Sequence, residues 1–194
     1  MIYVVTGHPR SGTSMTMAAL EAGGIPAAYS AMRNQRLGLR SDQKSGFNSI
    51  GSYELTQCEL EQHFPQAFDG HAVKLVWAWL HFLRRYEPGY HVIMLLRDPE
   101  EVRQSFEASV SLRLKRTQIA KNYAHNQDAA FQLIKSHPDV TRYNIIEYAK
   151  VVAEPVRWFR FLRLSGIPID ADKAASIVDP NLYRFRRELL VEGA

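Results

Sequence analysis

The sequence has a single cysteine, no long apolar run and only a small charge imbalance, and each shortage excludes a class of protein. Cys58 has no second cysteine with which to form an internal disulfide, which is compatible with a reducing compartment. No apolar run approaches the ~18 residues that a membrane-spanning helix requires, so we expect no membrane span. The net charge of +4 comes without a zinc-finger or aromatic RNA-binding motif, so we expect no nucleic-acid partner.

Length and composition indicate an ordinary globular chain. Its 194 residues suit one domain, and its hydrophobic content of 46% is typical of a protein with a buried core. We therefore expect a single domain over residues 1–194. The first apolar run begins at Ile2, with no signal peptide before it, which predicts a cytoplasmic location if Met1 is the natural start.

Short apolar runs alternate with longer segments that are compatible with helices. The runs suit buried strands at residues 2–5, 72–76, 92–96 and 143–146. The other segments suit helices at residues 14–22, 52–63, 77–86, 100–112, 117–136 and 148–165, the last one ended by Gly166. This alternation predicts an α/β fold with a central, mostly parallel sheet flanked by helices.

Residues 7–14 read Gly-His-Pro-Arg-Ser-Gly-Thr-Ser, between the first apolar run and the first helical segment. Glycines at this spacing let the backbone wrap an anion, and the start of the following helix adds positive potential. Loops that bind ATP or GTP carry lysine where this chain has Thr13, and that lysine reaches the β- and γ-phosphates. Arg10 is the only cation within the loop, and its planar fork suits a tetrahedral oxyanion. The loop therefore predicts an anion other than ATP.

Residues 92–106 form a second informative segment, which reads as a strand, an arginine, a turn and a helix. An apolar run delivers Arg97 to the end of a strand, Asp98 and Pro99 open a helix, and Ser105 follows about two turns along it. The same segment also allows another interpretation, in which Asp98 is the acidic residue that holds magnesium in phosphoryl transfer.

Both segments resemble those of sulfotransferases that use 3′-phosphoadenosine 5′-phosphosulfate (PAPS), in a branch rich in bacterial sequences. In that family the loop binds the 5′-phosphosulfate, and the later arginine and serine hold the 3′-phosphate. The resemblance implies a P-loop-type three-layer domain that transfers a sulfonate group, without a metal, to the hydroxyl or amine of a small-molecule or glycan acceptor. The cofactor-binding residues that it implies are Pro9, Arg10, Ser11, Gly12, Thr13, Ser14, Arg97 and Ser105.

Two shorter matches add candidate catalytic residues. Residues 51–54, Gly-Ser-Tyr-Glu, look like a Gly-x-Tyr/Phe-Glu motif of bacterial members, and Lys74 looks like their strand-end lysine. Because ligands of parallel sheets bind at the carboxyl ends of the strands, we expect Arg10, Glu54, Lys74 and Arg97 to converge there. Glu54 is the first candidate for the base that accepts the acceptor's proton, while Arg10 and Lys74 would stabilise developing charge.

The general base stays open, because the chain departs from the better-known branch of the family. In that branch a histidine follows the strand-end lysine by two residues, whereas this chain has Val76 there. His8, inside the loop, and His71, before the second strand, are alternatives to Glu54. Two other functions also stay open: a small-molecule kinase that uses ATP with magnesium, and a phosphoadenosine-nucleotide-binding protein without catalysis.

Two further segments carry weaker expectations. Residues 26–49 are polar and contain few apolar anchors, which is typical of a mobile loop that could act as a lid near the phosphate site. Arg184, Arg186 and Arg187 form a late basic segment that could close over the nucleotide or remain a solvated tail. The oligomeric state cannot be read from the sequence.

Overall fold

The structure is a computed structural model that describes residues 1–32, 53–110 and 116–182, without the side chains of residues 109, 110, 116–121 and 182. Most of the expected loop over residues 26–49 lies outside the described residues. The same holds for Gly51 and Ser52 of the short glutamate motif and for Arg184, Arg186 and Arg187 of the basic segment.

Four strands form one sheet in which every neighbouring pair is parallel. Along the sheet the order is β2, β1, β3, β4, with bounds of Ile2–Gly7 for β1, Ala72–Val76 for β2, Tyr90–Leu96 for β3 and Val140–Glu147 for β4. In register, Gly7 pairs with Val76 on one side and with Leu95 on the other, so the carboxyl ends of the strands meet at one edge. The four predicted strands and the α/β fold are confirmed.

Helices cover both faces of this sheet. The α-helices are α1 (Thr13–Ala22), α2 (Gln57–His63), α3 (Pro99–Val110), α4 (Arg116–Ser136), α5 (Tyr148–Ala153), α6 (Pro155–Leu164) and α7 (Ala171–Ala175). Among the described residues, three short 3₁₀-helices cover Gln66–Phe68, Trp77–Phe82 and Pro180–Leu182. None of the helices in the described ranges is long and apolar enough to cross a membrane.

Alternation along the strands divides the core into two buried clusters. On β1, Tyr3 and Val5 pack on one face with residues of α1, α5, α6 and α7. Ile2 and Val4 pack on the other face with residues of α2, α3 and α4 and of the 3₁₀-helix Trp77–Phe82. Strands β1, β2 and β3 are buried on both faces, which explains why they read as continuous apolar runs in the sequence, whereas β4, at one edge of the sheet, is largely exposed.

Two of the predicted helices are wrong in type or in continuity. The segment 77–86 forms a 3₁₀-helix over Trp77–Phe82, and the buried residues Trp77, Leu80 and Leu83 recur every three positions, which is the period of a 3₁₀ turn. The segment 148–165 is divided into α5 and α6 at Pro155, which lacks an N–H and takes the first position of the new helix.

The helix predicted from residue 52 begins later, at Gln57. Thr56 caps it: the Thr56 hydroxyl accepts a hydrogen bond from the backbone N–H of Glu59 at 3.3 Å, and the Glu59 carboxylate accepts one from the backbone N–H of Thr56 at 2.7 Å. This reciprocal cap fixes the start of α2. Glu54 therefore lies in extended chain before the helix, and is free of the helix-terminal role that a glutamate in a first turn would have.

His91 is a buried titratable side chain on β3, on the same face as Tyr3. Its Nε2 lies 2.6 Å from Oδ1 of Asn144, which also accepts a hydrogen bond from the Ser165 hydroxyl. Since an amide oxygen only accepts, Nε2 carries the proton, and Nδ1 has no partner among the described groups. Burial lowers the pKa of His91; the bond to Asn144 raises it, and the nearby charge of Arg142 lowers it further.

We predict that acid destabilises the fold through His91. A folded-state pKa below the usual value of about 6.5 means that the neutral form stabilises the fold. This contribution is complete above pH 6.5 and is lost as the pH falls through 6.5 toward the folded-state pKa. Urea unfolding at pH 7, 6 and 5 should therefore show a smaller loss of unfolding free energy in His91→Gln than in the unaltered chain. A matching change in His63→Gln, at an exposed histidine, would contradict the assignment to His91.

Candidate active site

The loop between β1 and α1 has a left-handed backbone at two positions. Arg10 has a φ of 74° and Gly12 a φ of 92°, while the N–H of Ser11 bonds back to the carbonyl of His8 at 3.1 Å. This conformation costs a residue with a side chain about 1–3 kcal/mol, and it persists only when contacts with the surrounding structure stabilise it. Backbones of this kind turn successive N–H groups toward one concave side, which suits an anion.

Both glycines of the loop are required by close packing. A Cβ on Gly12 would lie 2.2 Å from Cδ2 of Tyr148, and a Cβ on Gly7 would lie 2.4 Å from the hydroxyl of Ser11 and 2.9 Å from the carbonyl oxygen of Leu95. Real Cβ atoms do not approach other atoms this closely. The loop is therefore wedged between the end of β3 and the Tyr148 ring, which fixes its path.

The structure brings Arg10 into contact with the residues of the second predicted anion position. Arg10 Nε donates to the hydroxyl of Ser105 at 3.0 Å, and Arg97 Nη1 donates to the carbonyl oxygen of Arg10 at 2.9 Å. Ser105 is buried on α3, and Arg97 follows the last residue of β3. Burial lowers the pKa of Arg10 and the charge of Arg97 lowers it further, but an arginine remains protonated at neutral pH. The two positions thus form one cationic cluster.

Further contacts hold Arg97 in place. Its side chain is 7% exposed, and its Nε donates to Oε2 of Glu101 at 3.0 Å, whose side chain is 6% exposed. Its guanidinium carbon lies 5.0 Å from the centre of the Tyr148 ring, and its backbone N–H donates to the hydroxyl of Tyr123 at 2.9 Å. The sequence analysis did not identify Glu101, Tyr123 or Tyr148. Glu101 carries a readable signal, because a carboxylate four residues after an arginine can reach it.

Lys74 approaches the loop from the other side. It lies two residues before the end of β2, and its Nζ donates to the hydroxyl of Ser14 at 3.1 Å and to Oε1 of Glu54 at 2.6 Å. The Lys74 side chain is 6% exposed and that of Glu54 is 27% exposed. Ser14 follows Thr13, where ATP-binding loops carry their lysine. The neighbouring strand β2 therefore brings a lysine to the loop, which has none of its own.

Glu54 reaches Lys74 through its backbone as well as its side chain. It forms a parallel β-bridge with Lys74, which places it beside the outer edge of β2. The four residues predicted to converge are thus found as two contacting pairs, Arg10 with Arg97 and Glu54 with Lys74. Both pairs touch the loop or the first turn of α1. Their roles in binding and catalysis remain predictions.

His8 belongs to the loop, and its side chain packs in a cluster of aromatic residues. Its ring centre is 5.6 Å from that of Trp77, 5.9 Å from that of Phe106 and 5.2 Å from that of Tyr123. Nδ1 lies 2.8 Å from the carbonyl oxygen of Pro9; since a carbonyl only accepts, Nδ1 carries the proton and Nε2 keeps its lone pair. Burial lowers the pKa of His8, opposed by the bond to Pro9. The imidazole is therefore neutral at pH 7, as a base requires.

The structure does not bring His71 into this site. His71 precedes β2, so it lies at the amino end of a strand whose carboxyl end faces the loop. Val76 is five residues further on, a separation of about 16 Å in extended chain. Nδ1 of His71 instead bonds to the carbonyl oxygen of Asp69 at 2.8 Å. His8 and Glu54 remain as candidates for the base.

Asp98, the residue of the magnesium interpretation, caps a helix. Its Oδ1 accepts a hydrogen bond from the backbone N–H of Glu100 at 2.8 Å, at the start of α3. Within the ranges 1–32, 53–110 and 116–182, no group of three or more histidine, cysteine, aspartate or glutamate side chains is placed to hold a metal ion. The donors near the loop are instead cations and hydroxyls, which suit an oxyanion.

Comparison with known proteins gives distant structural likenesses. No protein-family model matches the sequence, and no curated protein matches it either. A sulfotransferase domain from the curacin biosynthetic pathway is 16% identical, with a TM-score of 0.47, over 93% of this chain and 84% of that one. A sulfotransferase domain from the Synechococcus PCC 7002 olefin synthase is 17% identical, with a TM-score of 0.41, over 95% of this chain and 82% of that one. At this distance neither likeness shows what this chain binds or transfers.

We predict that Gly12→Ala destabilises the fold more than Gly24→Ala. Both glycines have a left-handed backbone, with φ of 92° and 102°, but a Cβ on Gly24 would meet nothing within 4 Å. Gly24→Ala should lower the unfolding free energy by about 1 kcal/mol through backbone strain alone. Gly12→Ala should lower it by about 2 kcal/mol more, because it also forces Tyr148 away. Equal losses in urea unfolding would show that Tyr148 does not constrain the loop.

Proposed function

We propose that the chain is a sulfotransferase that moves a sulfonate group from PAPS to the hydroxyl or amine of a small-molecule or glycan acceptor. The observation that supports this most directly is the contact between the loop arginine and the second anion position. Arg10 bonds to Ser105, and Arg97 bonds to Arg10, so donors for two anionic groups lie side by side. PAPS carries its 3′-phosphate and its 5′-phosphosulfate on one ribose, so its two anionic groups are close neighbours.

The available donors fit both ends of that nucleotide. The backbone N–H groups of residues 10 and 12–14, with the Arg10 side chain, would bind the 5′-phosphosulfate, and Gly7 and Gly12 leave no side chain to obstruct the backbone. Arg97 and Ser105 would hold the 3′-phosphate, as the resemblance implies. Every one of these groups donates hydrogen bonds to oxygen, and two carry positive charge. No lysine from the loop is needed for a donor that lacks a γ-phosphate.

The reaction would be a direct displacement at sulfur. The acceptor oxygen or nitrogen forms a bond to sulfur as the bond from sulfur to the bridging oxygen breaks, and adenosine 3′,5′-bisphosphate leaves. Charge develops on the transferring group and on the bridging oxygen, where Arg10 and Lys74 are the candidates to stabilise it. Fixed donors of this kind each contribute roughly 10²–10³-fold to turnover. The acceptor's proton passes to a base of the protein.

Glu54 remains the first candidate for that base, and His8 is the alternative. One oxygen of the Glu54 carboxylate accepts a hydrogen bond from Nζ of Lys74 at 2.6 Å, so that contact competes with the acceptor's proton for the same oxygen. His8 presents an unprotonated Nε2 and a lowered pKa, but aromatic rings surround it. If neither accepted a proton, the chain would bind the nucleotide without transferring its sulfonate group. Val76 stands where the better-known branch has a histidine base, and this favours non-catalytic binding as the second candidate function.

We predict tight, magnesium-independent binding of adenosine 3′,5′-bisphosphate. In calorimetric titrations, Arg97→Ala should weaken this binding by more than tenfold, about 1.4 kcal/mol, because it removes a donor to the 3′-phosphate. Arg103→Ala is the matched control, since it removes the same charge from α3, where Arg103 pairs with Glu107 at 2.6 Å. A preference for ATP with magnesium over the bisphosphate would reject the sulfotransferase and support the kinase.

We predict that the base can be assigned from turnover and its pH dependence, once an acceptor screen with labelled PAPS supplies a substrate. Glu54→Gln should lower kcat by about 100-fold while nucleotide binding is retained. If His8 is the base, kcat/KM of the unaltered enzyme falls only at a pH below the ordinary imidazole value of about 6.5, because burial lowers the pKa of His8, and His8→Gln removes that acid limb. Bisphosphate binding with no transfer to any acceptor would support the non-catalytic binding protein.

A further inference from the structure

A buried carboxylate lies among the residues that would bind anions. Glu101 is buried on α3, and the proposed reaction gives it no task. A negative charge near the phosphates should oppose their binding, and a buried charge is costly unless it is paired. Its presence therefore needs a benefit that outweighs both effects.

Glu101 belongs to a closed ring of contacts. Glu101 accepts from Nε of Arg97 at 3.0 Å, and Nη1 of Arg97 donates to the carbonyl oxygen of Arg10 at 2.9 Å. Arg10 Nε then donates to the hydroxyl of Ser105 at 3.0 Å. Ser105 lies four residues after Glu101 on α3, so the two side chains occupy the same face of that helix. The ring leaves α3 at Glu101 and returns to it at Ser105.

The geometry of arginine explains what this ring can do. A guanidinium is a rigid plane, so fixing the direction of Nε also fixes where Nη1 points. Arg10 has a left-handed backbone that must be held by its surroundings, and the bond from Arg97 reaches that same residue. Arg97 can therefore hold the loop only while its own side chain is held.

We infer that Glu101 is a positioning residue for the loop. It aims Arg97 at the carbonyl oxygen of Arg10, and thereby holds the 5′-anion loop and the 3′-phosphate position in one arrangement. This inference rests on the proposed function to the extent that both positions bind phosphate groups. It follows that Glu101, by acting through Arg97, also affects binding of the 5′-phosphate.

The sign of the effect separates positioning from electrostatics. If Glu101 acts only as a charge, Glu101→Gln removes a repulsion, and anions bind more tightly. If Glu101 is a positioning residue, the same substitution weakens their binding. The matched control is Glu100→Gln, which removes an identical charge from the neighbouring residue. The Glu100 carboxylate pairs with Arg103.

The test is calorimetric titration of the full chain with adenosine 3′,5′-bisphosphate and with adenosine 5′-phosphate. Glu101→Gln should weaken the bisphosphate by more than tenfold and the 5′-phosphate by at least threefold, while Glu100→Gln leaves both unchanged or slightly tighter. The double variant Arg97→Ala/Glu101→Gln should bind no worse than Arg97→Ala, since Glu101 acts through Arg97. In NMR spectra, the Nε–H signal of Arg97 should shift in Glu101→Gln and stay in place in Glu100→Gln.

Unchanged or tighter binding in Glu101→Gln would overturn the inference. So would a loss confined to the bisphosphate, which would leave Glu101 without influence on the loop. If Glu101→Gln does not fold, Arg97→Lys decides: it keeps the charge but removes the fork, and must weaken the 5′-phosphate by at least threefold.

The proposed function can fail separately. If the unaltered chain prefers ATP with magnesium, the sulfotransferase is rejected, and the same variants are titrated with ATP, whose phosphates would occupy the same loop. Equal effects of Glu101→Gln and Glu100→Gln would then overturn the positioning role, and selective weakening by Glu101→Gln would support it. If no nucleotide binds, both proposals are rejected.

Discussion

Close packing of Tyr148 against Gly12 is the constraint on which the candidate site depends. The ring leaves no room for a Cβ at this position and at the same time lies beneath the guanidinium of Arg97. The Tyr148 side chain thus limits the path of the loop and also supports Arg97, which donates to the carbonyl oxygen of Arg10 in that loop. Because Tyr148 begins α5 directly after β4, the last strand of the sheet contributes to a turn made by the first.

The site obtains its charge from the whole sheet edge. The loop itself carries one cation, Arg10, while β2 contributes Lys74 and the end of β3 contributes Arg97. Parallel strands with aligned carboxyl ends make this possible, since each new strand brings another side chain to the same edge. Donors spread over three strands can contact an extended ligand at several points.

The sequence predicts the parts that depend on local pattern. Apolar runs locate the four strands of the described sheet, and the loop motif locates the left-handed loop that we propose as an anion site. The division of a helix at Pro155 follows from the missing N–H of proline and could have been predicted. So could the exclusion of His71, because a residue before a parallel strand lies at the edge opposite the ligand. Tyr148 was beyond prediction, since only the tertiary fold brings it to Gly12, and the 3₁₀ turn after β2 depends on how its aromatic residues pack.

The β-bridge between Glu54 and Lys74 has a further consequence for how this protein can change. The outer edge of β2 would otherwise present unpaired backbone groups, which invite pairing with other chains. The bridge covers part of that edge with backbone atoms alone, so it does not require a glutamate at position 54. Protection against aggregation and the chemistry of the side chain are therefore separable at this residue. Mutation can exchange the carboxylate for other groups, and so explore new reactions, without uncovering the sheet.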